Sequence, residues 1–126
     1  MATAIDIGTM IVRTPGTVGG RPRIEGSRIR VSNVVIARAH GDSVEEIAEE
    51  RFPSITVAQV HAALAYYFAN RAEIDREILD DELAGYEGEA DSLRAGFGSS
   101  WMTEEERKGQ IAELERSAAL LRSRLE

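Results

Sequence analysis

The sequence predicts a mainly α fold: a small helix-turn-helix-like domain entered by a short N-terminal β-hairpin, a long third helix and a C-terminal amphipathic helix. Three observations predict it. Ser/Thr-x-x-Glu/Gln boxes at Ser43–Glu46, Thr56–Gln59 and Thr103–Glu106 mark helix starts. Apolar residues recur at threes and fours from Val57 to Ile78, and again from Ile111 to Leu125. Alternation with a period of two is confined to the N-terminal third, where glycine and proline flank it.

The elements follow in order. Thr9–Pro15 is a β-like run that Pro15 closes, and Gly16–Gly20 is a turn. "RPRI" and "RIRV", joined by a turn around Gly26, read as a hairpin with Ile29 and Val31 on one face and Arg28 and Arg30 on the other. Ser32 is expected to cap a helix that Gly41 ends. Ser43 starts the next, and Pro53 stops it. Thr56 opens a long third helix, from about Val57 to about Leu83, whose heptad-like stripe is interrupted at Arg71. Residues 84–101 carry several glycines and little periodicity and read as a linker. Thr103 caps the last helix. The expected division is therefore residues 1–85, the helix-turn-helix domain, and 86–126, linker and tail.

Composition narrows the function. The chain has 126 residues, 43% of them hydrophobic, and a net charge of -7. That suffices for one modest core. The charge is uneven: residues 1–41 carry six arginines against two acids, residues 42–85 three arginines against eleven acids, and residues 86–126 six bases against nine acids. A local basic element therefore sits in an acidic chain. No run of about 18 apolar residues exists to span a membrane, and the N-terminus lacks the pattern of a secretory signal. The absence of cysteine fits a reducing cytoplasm.

Arg21, Arg23, Arg28 and Arg30 form the basic element. They read either as a solvated strand face paired with acids or as a phosphate-contacting ribbon, since guanidinium forks match phosphate oxygens and a two-stranded ribbon fits a DNA groove. The helix pair that follows has helix-turn-helix proportions, and Gln59 and His61 near the start of its second helix are candidate base readers. That helix carries no base before Arg71, so packing the core is its competing role.

Catalysis is not expected. Asp75, Glu77, Asp80, Asp81 and Glu82 spread around a helix, His40 and His61 belong to no metal-ligand motif, and no nucleophile elbow or cofactor fingerprint occurs. No cofactor or metal is expected, and a binding or regulatory role is left.

The stretch from about residue 16 to 75 resembles a small prokaryotic family catalogued as a domain of unknown function, number 433. The resemblance rests on Gly20-Arg21-Pro22, Ile24 through Val31, Gly41 through Ile47, Pro53, Thr56 and Ala63 through Tyr66, in that order. It implies a small, mainly helical domain with a short β element. It also implies an antitoxin-like role, of VapB type, in a type II toxin–antitoxin pair beside a PIN-like ribonuclease toxin. Residues 86–126 lie outside it.

On that basis the chain is expected to be a homodimeric antitoxin that binds operator DNA through the hairpin arginines with Gln59 and His61. The expected dimer contacts are Leu64, Tyr67, Ile74 and Ile78, with an intramolecular hairpin of the third and last helices as the rival use of the same stripes. The tail is expected to hold the toxin through Phe97, Trp101, Arg107, Ile111, Leu114 and Leu121, the alternative being that both rings fold back onto the third helix. The competing function is a protein–protein interaction module with no nucleic-acid contact.

Overall fold

The computed structural model describes residues 3–126, which divide into two compact units at Ile74/Asp75. The expected boundary at 85/86 falls inside a helix, α4 (Arg71–Arg94).

In the first unit, Asp6 caps a short 3₁₀ turn at Ile7–Thr9 by accepting from the Gly8 N–H at 2.9 Å. Two strands follow, β1 (Ile11–Val12) and β2 (Arg23–Ile24), paired antiparallel with Ile11 opposite Ile24 and Val12 opposite Arg23. The loop between them turns through three successive left-handed residues, Val18 (φ 43°), Gly19 (φ 69°) and Gly20 (φ 74°). Glycine adopts that conformation freely; the β-branched Val18 does not.

The hairpin expected between "RPRI" and "RIRV" is thus shifted. The regular ladder lies between β1 and β2, and "RIRV" joins only through a bridge between Arg23 and Arg30, with Ile24 N donating to Ile29 O (2.9 Å) and Val31 N to Pro22 O (3.0 Å).

The first helix, α1 (Val31–Ala39), starts one residue before the expected cap. Arg30 is the N-cap residue, and the Asn33 carboxamide accepts from its backbone N–H at 2.9 Å. Ser32 instead lies inside the helix, fully buried, with its Oγ making no hydrogen bond. A buried hydroxyl without a partner costs about 1–3 kcal/mol. Ser32→Ala is therefore expected to leave the chemical-denaturation midpoint unchanged or raise it. A loss of about 1 kcal/mol, as for removal of an N-cap, would restore the sequence-based assignment.

Helix α2 (Val44–Glu46) passes directly into a π turn at Ile47–Arg51, closed by Phe52 N donating to Ile47 O at 2.8 Å, and Pro53 follows. The capping boxes act reciprocally. Glu46 N donates to Ser43 Oγ (3.1 Å) and Ser43 N to Glu46 Oε1 (3.3 Å). In α3 (Val57–Ala69), Gln59 N donates to Thr56 Oγ1 (3.2 Å) and Thr56 N to Gln59 Oε1 (2.8 Å).

The central element is α3, which packs on α1, α2, the π turn, both strands and the first 3₁₀ turn. Ile24, Val31, Val34, Ile47, Val60 and Ala63 make the buried centre of this unit.

The expected single long helix is broken at Asn70. Its backbone (φ -136°, ψ 45°) is non-helical, its N–H donates to the Tyr66 and Tyr67 carbonyls, and its side-chain amide donates to Tyr66 O at 3.0 Å. Asparagine competes for backbone carbonyls and tolerates such conformations, which is why it ends helices.

The second unit pairs the rest of α4 antiparallel with α5 (Glu104–Leu125). Arg94 pairs with Glu115, Arg122 with Glu87 (2.9 Å), and Arg76 donates to Leu125 O (2.9 Å). Ala90, Leu93, Ala118 and Leu121 are buried. Residues 84–94, expected in a linker, are helical. Among the described residues no helix is long and apolar enough to cross a membrane.

Candidate functional site

The four hairpin arginines do not form one free basic face. Arg23 is turned into the protein: its Nη1 donates to Ser27 O at 2.9 Å and its Nη2 to Thr14 Oγ1 at 3.0 Å, so the guanidinium staples the turn to the loop before β2. Its Nε is buried with no hydrogen bond. Arg21 and Arg30 are half-buried, and each is already engaged. Arg28 is the exposed member of the set. Of the alternation expected at Arg28–Val31 only the ends hold: Arg28 is exposed and Val31 buried, whereas Ile29 and Arg30 are both half-buried.

A base that the sequence does not single out has the clearest partners. Arg13 Nη2 donates to the Tyr66 hydroxyl at 2.9 Å and pairs with Glu73, and that hydroxyl donates to Glu73 Oε1 at 3.2 Å. The Tyr66 hydrogen bond, with Glu73 behind it, holds the Arg13 guanidinium above its ordinary pKa. The triad ties the end of β1 to α3 and the first turn of α4. It spans 53 and 60 residues of sequence, so no local pattern announces it.

The candidate base readers separate. Gln59 is half-buried and its carboxamide oxygen is spent on the capping box, whereas His61 is exposed. The expected dimer stripe is not an open seam either: Leu64, Tyr67 and Ile78 are half-buried, Ile74 is fully buried, and the break at Asn70 puts two of the four on each of two helices.

The residues expected to contact a partner from the tail divide the same way. Ile111 and Leu114 are half-buried and Leu121 is buried; Leu114, with Ala90 and Ala118, lines a cavity of about 160 Å³ between α4 and α5. Arg107 is half-buried. Phe97 and Trp101 remain exposed, at 63% and 66%.

Their placement is built into the backbone. The end of α4 is a Schellman motif: Gly96 (φ 107°) donates from its N–H to Leu93 O at 3.1 Å, and Phe97 N donates to Ser92 O at 3.0 Å. This sets Phe97 immediately beyond the helix. Gly98 (φ 87°) then turns the chain. The positive φ favours glycine here, and a side chain would also meet Met102 Sδ at 2.7 Å, so that the methionine would have to move. Trp101 N and Met102 N both donate to Gly98 O, which brings the Trp101 ring edge-on to Phe97 with centroids 5.2 Å apart. Thr103 caps α5 two residues later. The pair is therefore an ordered corner, and Phe97 also lines a groove of about 530 Å³ with Ala84, Gly85, Gly88, Leu93 and Gln110.

The two units differ in charge. Residues 1–74 carry eight arginines against eight acids, and residues 75–126 seven bases against fourteen acids, so the net -7 lies wholly in the second. Aromatic corner and groove thus belong to a strongly acidic helical hairpin.

Comparison with known proteins fits the architecture of the N-terminal part. Residues 11–67 match the model of a family described as "protein of unknown function (DUF433)". A crystal structure of a DUF433 member protein from Anabaena variabilis is similar at 39% identity and a TM-score of 0.52, over 55% of this chain and 67% of that one. No curated protein matches. The motifs of the turn, the first helices and α3 lie in the matched stretch, and on this evidence the chain belongs to the DUF433 family.

Proposed function

We propose that the chain is an antitoxin-like binding protein that holds a nuclease-like protein partner through its second unit. The observation that carries this reading is the ordered, solvent-facing Phe97–Trp101 pair, set beside an apolar groove on the unit that bears all the net negative charge. Large rings presented at a rigid corner are the side chains that anchor interfaces. An acidic surround steers a basic protein surface toward them and repels nucleic acid. A ribonuclease, which must attract RNA, offers such a basic surface. The test is co-expression with the product of an adjacent nuclease-like reading frame. Co-elution of the two chains supports the reading, and separate elution of both folded proteins contradicts it.

Operator binding is the second part of the proposal and rests on the exposed Arg28. Arg28→Ala is expected to lower the slope of log affinity against log salt by about one unit in a promoter-DNA titration. Arg23→Ala is expected to act through stability instead, because its guanidinium holds Ser27 O and Thr14 Oγ1. An unchanged affinity and slope in Arg28→Ala would leave the competing reading, an interaction module without nucleic-acid contact. The charge balance of the two units favours that module over a strong DNA binder.

A further inference from the structure

We propose that the outer face of α3 is a self-association surface, which pairs antiparallel with the same face of a second copy of this chain. It lies outside the second unit and goes beyond the partner-binding role proposed for that unit.

The starting observation is a missing residue class. The chain is 29% charged, yet none of the thirteen residues of α3, Val57–Ala69, carries a charge. One side of this helix fills the core through Val60 and Ala63. On the other side Ala58, His61, Ala65, Phe68 and Ala69 are exposed, Phe68 at 67%. A surface helix ordinarily carries charges on its solvent side. An uncharged outer face with a large exposed ring marks an interaction surface.

The spacing identifies the occupant. Ala58, His61, Ala65 and Phe68 follow each other at three, four and three residues, so they form one row along the helix. In that row small and large side chains alternate. An antiparallel two-fold about the middle of α3 sets Ala58 against the partner's Phe68 and His61 against the partner's Ala65, so each ring meets a methyl group. A two-fold interface must complement itself in this way.

The charges at the two ends agree. Arg71 stands just past the C-terminal end of α3, its guanidinium carbon 5.6 Å from the Tyr67 ring centre and 6.0 Å from that of Phe68. The exposed Glu49 and Glu50 lie in the π turn that leads toward the N-terminal end. Antiparallel pairing carries the Arg71 end of one copy to the N-terminal end of the other copy's α3, the end that this turn precedes in the chain. Residues 1–74 are neutral in sum, so two such units meet without net repulsion. Nucleic acid finds no lysine or arginine within the row, and a charged peptide finds no formal counter-charge there.

A helix of this length spans about 20 Å. A face of this length lies at the small end of stable interfaces.

The test is sedimentation equilibrium of the full chain from micromolar to submillimolar concentration. The wild type should approach twice its 13.8 kDa. Ala65→Glu, which puts a charge at the centre of the row, and Phe68→Ser should each weaken association by about tenfold or more, with circular dichroism unchanged because both positions are exposed. The chain has no cysteine, so register can be read separately: mixing His61→Cys with Ala65→Cys should yield a disulfide between the two variants under mild oxidation. A wild-type monomer throughout the range, undiminished association in Ala65→Glu, or no mixed disulfide would overturn the proposal. Loss of self-association in these variants with partner binding intact separates this inference from the role of the second unit.

Discussion

Ile24→Ala should destabilise the N-terminal unit by about 2–5 kcal/mol, the range for deleting a fully buried aliphatic side chain. Ile24 is completely buried on β2, opposite Ile11. Its backbone also organises the turn: its N–H donates to Ile29 O, and its carbonyl accepts from Ser27 N (3.1 Å) and Ser27 Oγ (2.9 Å). A cavity here lies where both strands meet α3. Small domains hold only about 5–15 kcal/mol in total, so the loss is a large share of what this unit has. Urea unfolding followed by far-ultraviolet circular dichroism measures it. The exposed Ile7 provides the control, since Ile7→Ala should move the midpoint by less than about 0.5 kcal/mol. Equal effects of the two substitutions would mean that the core has been misplaced.

Removing the aromatic corner should have the largest effect on binding. Trp101→Ala combined with Phe97→Ala deletes two rings that are mostly exposed in the free chain, so stability should change by less than about 1 kcal/mol. If the rings anchor a partner, each is worth at least about 2 kcal/mol in the complex, or roughly thirtyfold in affinity. The two rings touch edge to face, so their losses are not additive; the double variant is expected to lose about a hundredfold or more. The readout is partner affinity, with thermal unfolding as the control for folding.

What could be read in the sequence was local. The capping boxes at Ser43, Thr56 and Thr103 are seen as expected because a cap needs only residues three apart. The stop at Pro53 is equally local. The hairpin was legible as a type but not in its pairing: β2 takes β1 as its ladder partner, and "RIRV" is held by a single bridge before the helix begins. Ser32 resembles a cap by type, but the chain enters the helix early enough to bury it. Asn70 stands one residue before the stripe position that Arg71 occupies, so periodicity passes over the residue at which the backbone breaks; Arg71, the interruption in that stripe, was the available signal. Residues 84–94 look like a linker because Gly85 and Gly88 weaken helix propensity. They are helical nonetheless, and the pairs that bind this stretch to α5 reach 21 and 35 residues along the chain.

The candidate sites followed the same division. Phe97 and Trp101 were identifiable as large rings among glycines, and the glycines prove to be the turn residues that set their geometry. The hairpin arginines were identifiable as a cluster, but charge pattern does not tell a guanidinium that faces solvent, Arg28, from one that holds a carbonyl, Arg23. The uncharged face of α3 was visible as composition. Its exposure is a tertiary fact.

The central claim is that the second unit grips a nuclease-like protein through its aromatic corner. Titration calorimetry of the full chain into the purified product of an adjacent nuclease-like reading frame tests it most directly, comparing the wild type with Phe97→Ala/Trp101→Ala. The account predicts saturable binding by the wild type and a loss of about a hundredfold or more in the double variant. No heat of binding with the wild type, or equal affinity in the two chains, would contradict it.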